Sequence, residues 1–261
     1  MGAGRLGASG PAHPLDTLIT AFYDAAVVTA KRSETMAHET VSEQPYILYG
    51  GPKTRAALVE QVMAEIGLRY ELRSIDIDKQ EHRSAAFLSV NPAGWAPALI
   101  TPEGEALSET PAINLYLAER HGAAHLAPPP SDRARGAFLS GLFYVSGMLE
   151  PALKRFWYPH RYADGARGAA AVKERAFEEA ATCFGVINDR LEAKGPFHLG
   201  ARFSLVDLMI AFWSESFEPA SLQRCEAIGR LHARVYDRPA LRPYKGTLRS
   251  ISAQMRSAPP R

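Results

Sequence analysis

Leu107-Ser108-Glu109-Thr110-Pro111-Ala112-Ile113-Asn114-Leu115-Tyr116-Leu117, with Ala96-Pro97 shortly before it, is the stretch on which the fold turns. Polar residues sit where a helix should start. Pro111 suits a first helical position, because the N–H it lacks would have no intrahelical partner there. Ile113 and Leu117 then recur at helical spacing as far as Arg120-His121-Gly122. A helix start offers unpaired N–H groups and a partial positive charge, so it can hold a carboxylate. Glu109 and Thr110 together can meet an ammonium and a carboxylate, the α-amino-acid end of a small ligand. Ser108 and Thr110 are equally good capping residues, and a plain N-cap is the other reading of the same residues.

Working back from that helix, Pro45-Tyr46-Ile47-Leu48-Tyr49 is a short β-rich run, and Gly50-Gly51-Pro52 is a turn signal. Leu58, Val59, Val62, Met63 and Ile66 give a helix that stops at Gly67, and Tyr70 to Ile75 gives a second strand. Such a βαβ unit implies a parallel pair with a right-handed crossover. A polar stretch from Asp76 to Arg83 comes next. Ala98 to Thr101 and Glu105 to Leu107 then read as a strand and its short return across Pro102-Glu103-Gly104. The order is β-α-β, then β-β-α.

Pro128-Pro129-Pro130 marks a linker, and the chain beyond it is helical: Arg133 to Leu153 ending near Glu150-Pro151, Ala169 to Leu191, a largely apolar Phe203 to Phe217, then Cys225 to Val235 and Leu241 to Ser250. The expected organisation is a mobile extension over 1–44 with Met36 as the natural start, a thioredoxin-like α/β domain over 45–123, a linker over 124–132, an all-helical domain over 133–252 and a tail over 253–261.

Bulk properties narrow the function. Among 261 residues the net charge is +2, and no basic tract is visible, which argues against nucleic acid as a partner. No apolar run is long enough to span a bilayer. Two cysteines far apart, Cys183 and Cys225, fit a reducing, cytoplasmic compartment and inert thiols. No CxxC follows the first strand, and the histidines show no helix-spaced pair for a metal. Gly51-Pro52-Lys53-Thr54 lacks the glycines of a phosphate-binding loop.

Three motifs in order resemble the glutathione S-transferase family: Asn91-Pro92-Ala93-Gly94-Trp95-Ala96-Pro97-Ala98-Leu99, then Leu107 to Leu117, then Leu199-Gly200-Ala201-Arg202-Phe203-Ser204-Leu205-Val206-Asp207. In the last, Ser204 and Asp207 form a capping box with Asp in place of Glu or Gln. The resemblance covers about Tyr46 to Leu248. It implies a thioredoxin-like N-terminal domain that binds glutathione as co-substrate, a helical C-terminal domain, a homodimer and no metal. The implied activity is conjugation of the glutathione thiol to an electrophilic small molecule. A reductase, peroxidase or lyase, or a silent binding protein, is the alternative on the same scaffold.

Carried over residue by residue, the resemblance is to the serine-type classes, with Thr54 in place of the activating Ser and Tyr49 as the other hydroxyl in reach. Arg55 is read as structural or as a source of positive field. Ala96 before a cis Pro97 would pair with the cysteinyl backbone, and Glu109 and Thr110 would hold the γ-glutamyl end. His82 would meet the glycyl carboxylate, or is an exposed loop histidine. Trp95 is expected in the core. The second substrate is expected near Phe143, Tyr144, Phe156-Trp157-Tyr158 and His160-Arg161-Tyr162, of which Tyr144, Trp157 and Tyr158 are the pocket candidates; helix packing is the competing role. This aromatic and basic cluster suits a planar or anionic electrophile.

Overall fold

The computed structural model describes residues 44–51, 53–217 and 222–257. The expectations for a mobile extension and for Met36 lie outside them. Strand β1 (Tyr46–Gly50) pairs in parallel with β2 (Tyr70–Ser74) and antiparallel with β3 (Ala98–Ile100). β3 pairs antiparallel with β4 (Ala106–Ser108), so the sheet order is β2-β1-β3-β4. This is the βαβ-ββα unit expected from the strand spacing.

Alternation along β1 sends successive side chains to opposite faces. Tyr46 and Leu48 join Leu99 in the main core with helix α1 (Ala56–Glu65) and helix α3 (Thr110–Arg120), through Val59, Val62, Ile113 and Leu117. Tyr49 joins a second cluster with Phe87, on the one-turn helix α2 (Ala85–Leu88), and with Ala96 and Ala98. Gly50 lets the chain pass from strand to helix: a Cβ there would stand 2.1 Å from that of Ala56.

The helical half contains α4 (Arg135–Tyr144), a π-helical turn (Val145–Leu149), α5 (Glu150–Trp157), α6 (Gly165–Lys194), α7 (Leu205–Ser214), α8 (Glu226–Tyr236) and α9 (Thr247–Ser257). Glu150-Pro151 is therefore not a helix end. The wide π turn precedes Pro151, which falls in the first turn of α5, where its missing N–H and its ring are tolerated. The chain stays helical to Ser257, past the point where a tail was expected. Cys225 sits just ahead of α8 rather than inside it.

Helix α7 is the central one: Leu205, Val206, Leu208, Met209 and Ile210 are all fully buried. Its start is held by the expected capping box. The Ser204 N–H donates to Asp207 Oδ2 at 2.8 Å, the Ser204 hydroxyl donates to the same oxygen at 2.9 Å, and the His198 N–H donates to Oδ1 at 2.6 Å. Among the described residues no helix is long and apolar enough to cross a membrane.

Candidate functional site

Two local devices shape the α/β side of a cleft between the two halves, and a third stands close to it. The first is the turn between β1 and α1. The Thr54 hydroxyl oxygen accepts from the N–H of Gly51 at 3.0 Å and from that of Ala56 at 3.1 Å, and the hydroxyl donates to the Gly51 carbonyl at 2.8 Å. Thr54 thus ties the turn to the start of α1. Its oxygen is fixed by two donors, and only its proton can rotate.

The second device is the loop into β3. The Asn91 side chain donates to the Trp95 carbonyl at 2.7 Å and accepts from the Ala93 N–H at 3.2 Å, and Gly94 turns the chain at φ +65°. The Ala96-Pro97 bond is cis, as expected; Gly195-Pro196 is a second cis bond that the sequence did not signal. Trp95 is not in the core. It is 38 % exposed, with the Arg83 guanidinium 5.0 Å from its ring centroid on the α/β side and the Lys154 ammonium 4.4 Å from it on the helical side. A neighbouring buried Gly and two flanking cations turn the indole outward, which apolarity alone does not foretell.

The third is the start of α3. Glu109 is exposed and holds φ 67°, ψ 110°, outside the ordinary regions for a side-chain-bearing residue. Such strain persists where surrounding structure imposes it, and it concentrates at binding sites. Glu109 occupies the N-cap position and makes no capping bond through its side chain. Thr110 is 2 % exposed, and its hydroxyl has no hydrogen-bond partner among the described residues. The plain-cap reading thus fails on geometry: the hydroxyl that would cap is buried and unused.

The cleft has a volume of about 170 Å³ and opens to solvent. Of the expected site residues, Thr54, His82, Ala96, Trp157 and Tyr158 line it together. Pro97, Glu109 and Thr110 do not, although Glu109 lies close enough to act electrostatically on Glu150 and Lys154. Tyr144 does not line it either. Its hydroxyl is hydrogen bonded to the Cys183 thiol, and burial pushes its pKa up to about 12. The π turn after Tyr144 separates it from α5, and none of the residues lining the cleft comes from α4. Tyr49 also points elsewhere, accepting from Arg73 at 2.7 Å.

His82 lies in a short 3-10 turn (Glu81–Arg83), and its Nδ1 is buried with no partner among the described residues. Burial, then the nearby charges of Arg83 and Arg161, hold its pKa below the usual value. An anion placed beside it would favour its charged form.

Two features of the helical wall were missed. Arg55 reaches across the cleft to a salt bridge with Glu150, which is 8 % exposed and whose pKa is raised chiefly by burial. Residues 95 positions apart carry no pattern that would pair them. The second feature is α9, which contributes Leu248, Ile251 and Ser252 to the cleft. Its start is held by the buried Glu215 carboxylate, which accepts from the N–H groups of Gly246 at 2.6 Å and Leu248 at 3.1 Å and meets His232 Nε2 at 2.8 Å.

Comparison with known proteins fits this geometry. Residues 44–119 match the glutathione S-transferase N-terminal domain family. A maleylacetoacetate isomerase of Pseudomonas aeruginosa is 41 % identical over 85 residues, which is 31 % of this chain; the chain spans 40 % of that relative's length. Among solved structures, the glutathione transferase URE2P6 of Phanerochaete chrysosporium, in complex with oxidized glutathione, superposes with a TM-score of 0.70 at 22 % identity, over 82 % of this chain and 98 % of its own. A glutathione transferase family member from Pseudomonas fluorescens Pf-5, with two glutathione bound, gives 0.64 at 26 % identity, over 77 % and 92 %.

Proposed function

We propose that this chain, whose residues 44–119 match the glutathione S-transferase N-terminal domain family, binds glutathione at the edge of its α/β half and transfers the thiol to an electrophile held in the cleft. The observation that carries this reading is Thr110. A buried hydroxyl without a partner costs about 1–3 kcal/mol, and it stands at a helix start that favours an anion. The γ-glutamyl carboxylate satisfies both, and exposed Glu109 takes the ammonium beside it. The main chain of Ala96 pairs with the cysteinyl part, and His82 receives the glycyl carboxylate.

Thr54 activates the thiol. Rotating its proton from the Gly51 carbonyl to sulfur gives up a neutral hydrogen bond worth about 1 kcal/mol and gains one to a charged acceptor worth about 1.5–3 kcal/mol. The two N–H groups that donate to its oxygen polarise the hydroxyl and strengthen it as a donor. With about 0.3–1 kcal/mol from the start of α1, the net gain is about 1–3 kcal/mol, or about one to two pKa units for the thiol. That suffices to make thiolate a major form near neutral pH, from the usual thiol value of about 8.5.

The test is turnover of 1-chloro-2,4-dinitrobenzene with glutathione. Thr54→Ala lowers kcat/KM at least about tenfold, the equivalent of about 1.4 kcal/mol, while Thr54→Ser retains activity. Equal activity in Thr54→Ala removes the hydroxyl from the mechanism. Glutathione binding without turnover of any electrophile favours a silent binding protein. The maleylacetoacetate isomerase relative favours a second reading, in which the same thiolate adds to an unsaturated acid and leaves again, so that the product is an isomer and glutathione is regenerated. The protein acts as a homodimer, and light scattering at the single-chain mass of 28.5 kDa contradicts this.

A further inference from the structure

The charges inside the cleft do not balance. Lys53 is paired with Asp78, and Arg55 is paired with Glu150. Lys154 and Arg161 remain, both from the helical half, and among the described residues neither has a carboxylate within salt-bridge distance. Each lies on an aromatic face instead: the Lys154 ammonium 4.4 Å from the Trp95 ring centroid, the Arg161 guanidinium 4.3 Å from that of Tyr158. Both cations and both rings line the same cleft, with Trp157 beside them.

Lys154 is half-buried. Burial first, and then Arg55 and Arg161, hold its pKa below the usual value; Glu150 and Glu109 oppose this only in part. Glu150 is committed to Arg55, and Glu109 is the residue expected to take glutathione's ammonium. A cation kept partly out of water without an acid partner, as Lys154 is, is poised for an anionic ligand, and the exposed Arg161 guanidinium adds a second positive charge beside it. The rings of Trp95, Trp157 and Tyr158 offer apolar surface beside those cations for a planar body attached to that anion.

We infer that the second substrate is a planar, carboxylate-bearing electrophile whose carboxylate is held by Lys154 and Arg161 and whose plane lies among Trp95, Trp157 and Tyr158. This rests on the transferase reading for the reaction, but the binding it describes does not. The glycyl and glutamyl carboxylates of glutathione are expected on the α/β side, at His82 and Thr110, so the helical-side cations remain for the partner.

A matched pair of aryl chlorides tests it: 4-chloro-3-nitrobenzoate and the neutral 4-chloro-3-nitrobenzamide. In each, the glutathione sulfur bonds to the chlorine-bearing carbon, the carbon–chlorine pair leaves as chloride, and the thiol proton passes to solvent. With each kcat/KM divided by the uncatalysed rate, the wild-type protein prefers the benzoate by at least about tenfold, from charge-assisted contacts the amide lacks. The preference collapses toward one in Lys154→Gln/Arg161→Gln and survives in Lys154→Arg. A wild-type ratio at or below one overturns the inference, and so does a ratio that persists in the double variant. Loss of glutathione affinity in the double variant, with the ratio kept, assigns the cations to glutathione instead. The same ratio is read without turnover as the two dissociation constants for protein loaded with S-methylglutathione, followed by tryptophan fluorescence. If neither chloride is turned over, the transferase reading fails while the binding ratio still decides the anion site.

Discussion

Thr110→Val separates a binding hydroxyl from a structural one, because the two roles predict opposite signs. Val keeps the branched shape and buries the same surface, and it deletes a hydroxyl that is 2 % exposed and has no partner among the described residues. Leaving such a group buried costs about 1–3 kcal/mol, so its removal stabilises the ligand-free protein by a comparable amount, discounted for whatever the site relaxes. For a chain of this size each kcal/mol moves Tm by about 2–4 °C, and a rise of about 2–6 °C is expected without ligand. Glutathione affinity moves the other way. Losing a hydrogen bond to the glutamyl carboxylate, worth about 1.5–3 kcal/mol, weakens Kd about 10- to 150-fold. Thermal unfolding gives the first quantity and isothermal titration of glutathione the second. A Tm that falls with Kd unchanged refutes the reasoning, since it makes the hydroxyl part of the fold and not of the site.

Two further outcomes concern the cleft and the helical core. Glu150→Ala strands the Arg55 guanidinium; because about a quarter of the Arg55 side chain is exposed, the loss of stability is about 2–3 kcal/mol, below the 3–5 of a fully buried pair, and urea unfolding without such a loss contradicts the bridge. His198 is 7 % exposed and its pKa falls from the usual 6.5 to about 4, chiefly by burial and then by Arg190. Its folded value is depressed, so the stability it contributes is present above pH 6.5 and is lost as pH falls toward 4, by about 3 kcal/mol. Asp207 nearby is shifted up to about 7 by burial and opposes this trend, so the comparison is with His198→Gln, whose stability must lack that fraction of the acid loss. Identical pH profiles would refute the assignment.

The α/β half was legible because its information is local. Strand, turn and helix signals lie within a few residues of one another from Tyr46 to Arg120, and the same spacings that build the sheet also put Ala96, Pro97, Glu109 and Thr110 at its edge. Capping at Ser204 and Asp207 was legible for the same reason. The cleft wall was not, because it is assembled from residues with no sequence relation: Arg55 meets Glu150, and Trp95 meets Lys154. Counting helical periods also breaks down across Val145–Leu149, where one wide turn shifts the face that later residues present, so Tyr144 turns to Cys183 while Trp157 and Tyr158 face the cleft. That same turn precedes Glu150 and Lys154, the residue that closes the bridge and the one that is left without an acid. A π turn is a distortion of a helix that is seldom retained without a use. Here it precedes the segment that positions an interdomain ion pair and an uncompensated ammonium on one wall. The α/β half thus holds the devices that local signals build, and the distorted helix carries the charges that no local signal pairs.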